Sequence, residues 1–526
     1  MGGAPSISKR NVLAGTAGLA ATGLLPRAGR AAAKPLSVVL EAEVVILDPH
    51  MTTAAITRTF GYHVFDTLFA MDAAGTVHPQ MAAGHQVSAD GLTWTVALRD
   101  GLIFHDGTPV TGADVAASLR RWAPLDSLGR MLLAAGASFA PAGAGAATIT
   151  LKQPFPLMLQ VLGKPNAPVP FIMPARVVEA AGTGRIKDMV GSGPFAFRPD
   201  LWRPGDSMVL DRFAGYRPRP EPADFLSGGK DVHVDTITLR VMPDDTTGAN
   251  ALMVGDIDYM QYLPFDLLDV LGRKPDIKLM DLKGLDMFQG NFRLNHASGP
   301  FADPAVRQVL WKLVDQKEMQ DAAGIGTAYR LDTCPAFFVC GTPLATDAGS
   351  QAARYDAAAA KAELARTSYK GEPVVILQVA GSIMQAAGSL LAQHMKAAGF
   401  TVEEQVMDWG TVLARRARKD GWSMFPVYSN GVDMYSPLTH FYVSNNCADY
   451  PGWSCSAPMT QMLQRFATAA DDTERKTVAT QIQEEAYRLV PSVMWGQFSR
   501  PAGYRTRLQG LVQSSFPMFW NVRLAA

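Results

Sequence analysis

The stretch from Ser88 to Trp122, SADGLTWTVALRDGLIFHDGTPVTGADVAASLRRW, constrains the fold of this chain more than any other part of it. Trp94, Val96 and Leu98 alternate with Thr93, Thr95 and Ala97, a period of two that sends one row of side chains to a buried face and marks a strand. Asp100-Gly101 then interrupts, and an Asp-Gly pair suits a type I′ turn, so a second strand over Leu102–Phe104 is expected to return beside the first. Thr111 and Asp114 stand as a capping box with Asp in the third helical position. Val115, Leu119 and Trp122 follow at helical spacing, so a helix starts there.

The remaining chain alternates strands with helices. Short β-like runs occur at Leu36–Leu47, Ala147–Leu151, Ser207–Leu210 and Val234–Val241, and residues Ala134–Ala147 between two of them read as irregular surface. Pro300–Glu318 reads as the clearest helix: Asp303 can cap it, Pro304 suits its first turn, and Val306, Val309, Leu310, Leu313 and Val314 share one face. A helix over Asp356–Thr367, a strand over Val374–Val379, a helix ending before Gly399 and an alternating strand at Phe400–Val406 give a βαβ rhythm and an α/β lobe. A last amphipathic helix, Thr473–Leu489, ends at Pro491, and a strand over Val493–Gln497 is expected to re-enter the first lobe. Gly191-Ser192-Gly193-Pro194 lacks the lysine of a phosphate loop and reads as a turn allowing close backbone approach. Gly255-Asp256-Ile257-Asp258 reads as a helix-to-strand turn, because its two acids have no third oxygen ligand at a suitable spacing.

Residues 1–33 hold Lys9, Arg10, Arg27 and Arg30 and no acid, followed and interleaved by a short apolar run broken by glycines and ending in Ala31-Ala32-Ala33. This reads as an export signal of twin-arginine-like or general secretory type, cleaved near Ala33, and the run is shorter than the ~20 apolar residues of a membrane span. The protein is therefore expected in the periplasm. The whole chain balances 48 basic against 48 acidic residues, so removing those four cations leaves the rest at −4, which points to no nucleic acid. Two local disulfides, Cys334–Cys340 and Cys447–Cys455, are the simplest of three pairings in that compartment, and neither pair has the spacing of a structural zinc site.

The wording of the opening stretch, S-x-DG-x-T-x-x-x-x-LR-DG-x-x-FHDGTPVT-x-x-DV-x-x-S-x-x-R, resembles the extracellular solute-binding proteins of peptide/nickel-type ABC importers. Leu47-Asp48-Pro49-His50, the GSGPF element at Gly191–Phe195 and the PF-x-D-x-x-VR opening at Pro300 continue the resemblance. It implies a bilobed α/β periplasmic-binding fold of type II with an extra inserted domain and two hinge crossings. Lobe I is placed at 34–60, 190–287 and 491–526, the inserted domain at 61–189 and lobe III at 288–490. Crossings near Asp286–Asn291 and Pro491–Gln497 and ligand enclosed between the lobes follow from it. The resemblance nominates Glu43 along the groove, against an exposed acid on an edge strand, and Asp433 as partner of a ligand cation, against a turn cap after Asn430-Gly431. Trp409, Tyr428, Asn430 and Tyr435 lie in the same candidate region, where aromatic rings offer contact area with a polar handle. A monomer without cofactor or metal is implied. It takes a small solute, foremost a short peptide, with nickel chelates, opines, oligosaccharides and haem as alternatives, and passes it to an inner-membrane permease and its ATPase.

A secreted hydrolase is the competing reading. H-E-x-x-H, G-x-S-x-G and H-x-H are all missing, and the nine histidines are scattered singly. His105 within FHDGTP is implied by the resemblance to belong to a structural turn. His440 is the nearest histidine to the candidate region for a nickel chelate.

Overall fold

The computed structural model describes residues 35–469 and 471–525; the expected export signal lies outside the described residues. Three sheets organise the chain. The first has seven strands in the order Phe195–Phe197, Ser207–Arg212, Thr236–Arg240, Leu36–Val39, Tyr259–Met260, Ala502–Arg505 and Ile277–Met280. Leu36–Val39 runs parallel to both of its neighbours, while the outer pairs are antiparallel. The second sheet has six strands in the order Arg330–Leu331, Ser492–Phe498, Phe288–Leu294, Met424–Asn430, Val374–Val379 and Val402–Met407. A four-stranded antiparallel sheet, Ala82–Val87, Thr93–Leu98, Ala146–Thr150 and Ser138–Pro141, forms the smaller part.

The second sheet combines the βαβ unit read from sequence with an antiparallel centre. Val374–Val379 and Val402–Met407 pair in parallel around the helix Ile383–Ala398, whose Ser382 caps its first turn and whose chain turns left-handed at Gly399. Phe288–Leu294 is buried at every position and pairs antiparallel on both sides. Gly290 pairs with Gly496 and lies against the Trp495 ring, where a Cβ would come within 2.2 Å of the indole, so the close approach of ring to strand requires glycine there.

Several expectations are corrected. Leu102–Phe104 does not pair with Thr93–Leu98: both edges of that strand are already occupied by Ala82–Val87 and Ala146–Thr150, and Ile103 makes only an isolated bridge to Pro109. Ala134–Ala147 is not wholly irregular, since Ser138–Pro141 closes the small sheet and puts Phe139 into its core. The Pro300–Glu318 helix is broken into Pro304–Val309, a 3-10 turn at Leu310–Lys312 and Gln316–Ala322, because Asp315 caps a new helix by accepting the Glu318 N–H. Its five apolar positions are nonetheless all buried. The Leu36–Leu47 run is a strand only over Leu36–Val39.

Ser492–Phe498 does not return to the first sheet; it pairs with Phe288–Leu294 and Arg330–Leu331. The chain passes from the first sheet to the second over residues 281–287 and back over 499–501.

The capping box forms as read: the Asp114 carboxylate accepts from the Thr111 N–H at 2.8 Å and its hydroxyl at 2.7 Å, starting the helix Gly112–Trp122. The glycine turn also forms, and a Cβ on Gly191 would lie 1.9 Å from the Val64 carbonyl oxygen. His105 holds this turn, with Nδ1 accepting the Gly191 N–H and Nε2 donating to the Gly193 carbonyl. Both disulfides form, with Cα–Cα distances of 5.9 and 4.2 Å.

Candidate functional site

The helix Ala55–Val64 carries no acid and one arginine, and nine of its residues are buried because it packs between the first sheet and the C-terminal aromatic segment. Arg58 is 2% exposed. Its guanidinium stacks on the Phe516 ring at 4.3 Å, and its Nη1 donates to Asp433 Oδ1 at 2.6 Å and to the Pro165 carbonyl at 3.3 Å. Asp433 sits on the single turn Gly431–Met434 that follows the second-sheet strand Met424–Asn430, and the Gly431 N–H donates to the Met287 carbonyl in the first crossing. Asn166, from the segment that follows the four-stranded sheet, donates to the Val432 carbonyl and to Asp433 Oδ1. Three separate parts of the chain therefore meet at one carboxylate.

A second cation, Arg500, lies in the return crossing. Its Nη1 donates to the Tyr428 hydroxyl at 2.9 Å, its Nη2 to Asp245 at 3.3 Å, and its guanidinium covers the Tyr262 ring at 4.4 Å. Glu41 follows the first strand, and its N–H donates to Gln261 Oε1. Burial pushes the Glu41 carboxyl up, against the opposing pull of Arg500, Arg58 and a hydrogen bond to Tyr262. Burial likewise raises Asp286 in the first crossing, which accepts the Ser515 N–H at 2.8 Å, and the Tyr428 hydroxyl.

Not every valence in this layer is spent. Among the described residues, Arg58 Nε and Nη2, Arg500 Nε, Asn166 Oδ1 and Asn430 Oδ1 are buried without a partner. Such groups are rare and costly in folded proteins, and a polar occupant is one way of satisfying them. The layer thus offers donors and acceptors of both charges from the two sheets, a chemistry of holding. Among the described residues, no group of three or more His, Cys, Asp or Glu could hold a metal ion.

Of the residues nominated from sequence, Asp433, Asn430 and Tyr428 enter this layer. Trp409 and Tyr435 do not: both pack with the second apolar cluster of the six-stranded sheet, and Trp409 lies under Arg416 at 5.5 Å. Glu43 accepts the Gly205 N–H at 2.8 Å at the surface of the first sheet, and Glu41, two residues earlier, is the acid that faces the arginines. His440 is buried against Phe337, Phe338 and Tyr442, with Nδ1 accepting the Tyr442 N–H. Sequence reading missed Arg58, Arg500, Glu41 and Asn166. A lone arginine inside the otherwise apolar AITRTFGYHV was the available signal for Arg58.

The profile of the bacterial extracellular solute-binding proteins, family 5 (middle), matches residues 76–451. The chain belongs to this family. A probable peptide ABC transporter periplasmic-binding protein of Sinorhizobium fredii is 33% identical over 540 residues, covering 99% of this chain and 100% of that one. The Escherichia coli murein tripeptide binding protein superposes with a TM-score of 0.79 at 17% identity, covering 94% of this chain and 99% of that one. A binding protein from A. tumefaciens R10 in complex with agropinic acid superposes with a TM-score of 0.77 at 22% identity, with coverage of 94% and 99%. This family 5 protein thus has the α/β bilobed fold of type II and is the solute-binding component of an importer, extracellular or periplasmic in place. Among the described residues, no helix is long and apolar enough to cross a membrane.

Proposed function

We propose that this family 5 solute-binding protein captures a short peptide between its two lobes and delivers it to an inner-membrane permease driven by an ATPase. The observation that carries the reading is the buried polar layer in which Asp433, Tyr428 and Asn430 of the second sheet face Arg58, Glu41 and Arg500. The curated relative named for peptide transport supports the solute class. In this reading, Asp433 keeps Oδ1 on Arg58 Nη1 and meets the ligand's ammonium with its other carboxylate oxygen, and the rings of Tyr428 and Tyr262 line the chamber. Residues 281–287 and 499–501 are the hinge, and closure over the ligand shifts the population because only the closed state contacts it on both sides. The protein acts as a monomer without turning its ligand over, and is exported with cleavage near Ala33.

Native mass spectrometry of protein purified without denaturation, followed by thermal melts with pools of synthetic di- and tripeptides, tests this. A co-purified peptide, and melting temperatures raised by mass action, are expected. A co-purified solute that is not a peptide, with no peptide raising the melting temperature, overturns the solute class. Peptide cleavage under the same conditions overturns the binder reading.

A further inference from the structure

Arginine presents five N–H groups in a rigid plane, and two of them, on Nε and Nη2, point side by side along one edge, matched to the two oxygens of a carboxylate. In Arg58 the opposite corner is already spent, with Nη1 on Asp433 and Pro165, and one face of the plane is covered by Phe516. The Nε–Nη2 edge is intact, buried and unpaired among the described residues. The neighbouring acids do not fill it. Asp433 is engaged on Nη1, Asp286 accepts from Ser515, and Glu41 makes no hydrogen bond to either nitrogen of this edge.

We infer that the Nε–Nη2 edge of Arg58 is a fork that takes the carboxylate of the captured solute, with Arg500 as a second cation beside it. The inference rests on the capture reading above and narrows its ligand to carboxylate-bearing solutes. Asp433 fixes the fork by holding Nη1, so an occupant does not have to order the arginine when it arrives. The unpaired carbonyl oxygens of Asn166, whose amide donates to Asp433, and of Asn430, at the start of the turn that carries Asp433, accept N–H groups of the same solute. The carboxylate is either a peptide's C-terminus or an acidic side chain.

The test measures binding by calorimetry to purified protein. The probes are a pool of di- and tripeptides with free C-termini, the same peptides as C-terminal amides, glutamate-containing amides, and a set of non-peptide organic acids. The variants are Arg58→Gln and Arg58→Lys; the lysine keeps the charge beside Asp433 but has no fork, and both are checked for an unchanged circular dichroism spectrum. The expected result is that removing the only carboxylate weakens wild-type binding about tenfold or more, the loss of at least one charge-assisted hydrogen bond. In both variants the acid and its amide then bind within about twofold of each other. Tight binding of glutamate-containing amides supports the fork and assigns the carboxylate to the side chain. Equal wild-type affinity for acids and amides, or a difference that survives in both variants, overturns the fork and leaves peptide capture standing. Binding of non-peptide acids alone, lost in the variants, keeps the fork and overturns peptide capture. Failure of every carboxylate-bearing probe to bind overturns both.

Discussion

Arg58 and Asp433 are 375 positions apart in the chain and joined at 2.6 Å, with side chains only 1% and 5% exposed. An exposed pair at that distance contributes about 0–1 kcal/mol, but removing one partner of a buried pair costs about 3–5 kcal/mol, because the other charge is left without compensation. Arg58→Met and Asp433→Leu are each expected to destabilise by that amount. For a cooperative unit of roughly 200 residues, where 1 kcal/mol shifts the melting temperature by about 2–4 °C, the loss is about 10 °C. The double variant carries neither charge and packs two apolar side chains into the same space, so it is expected to recover most of the loss. Calorimetric melts of the four proteins, free of ligand, give the coupling energy directly. Simple addition of the two single losses in the double variant would refute the reasoning, since it would mean the two charges do not feel one another in the folded state.

Three further outcomes follow from local features. Burial holds His63 and His105 down to about 4, and His50, His296 and His440 down to about 3. All five fold neutral, so their contribution is intact above the unfolded value near 6.5 and is lost as pH falls from there toward 4. Melts across pH 8 to 4 are expected to be flat at first and then to fall. The Cys334–Cys340 and Cys447–Cys455 bridges each close a short loop, so reduction is expected to cost about 2 kcal/mol per bridge on the loop-entropy account, read as a lower denaturant midpoint after treatment with a phosphine. Gly191→Ala drives a methyl to 1.9 Å from the Val64 carbonyl and is expected to lower soluble yield and the urea midpoint sharply, whereas Gly205→Ala, with nothing within 4 Å of the added carbon, is expected to cost only its left-handed backbone strain.

Local rules fixed much of the architecture. The Thr111–Asp114 box, the Asp303 cap, the βαβ unit and the two disulfides were legible because each depends on residues close in sequence. The failures were contests settled from far away. Leu102–Phe104 had a turn ahead of it, but Ala146–Thr150 had already taken the free edge of its intended neighbour. Ser492–Phe498 had the composition of a strand for either sheet, and only its pairing to Phe288–Leu294 decides which. At the candidate site, Asp433, Asn430 and Tyr428, nominated together by the resemblance, lie on one strand and the turn after it. Arg58, Glu41, Asn166 and Arg500 come from four distant segments, and no spacing rule links them.

The two passages between the sheets have a consequence for how the chain acquires its shape. Phe288 and Phe498 stand opposite each other, so the second lobe is one uninterrupted length of polypeptide whose first and last strands zip together. The first sheet has no such independence: Tyr259–Met260 and Ile277–Met280 are separated by a slot that only Ala502–Arg505 fills, pairing with both. A chain leaving the ribosome amino end first therefore carries an unfinished β-ladder through nearly its whole synthesis, and the strand that closes it is among the last to arrive.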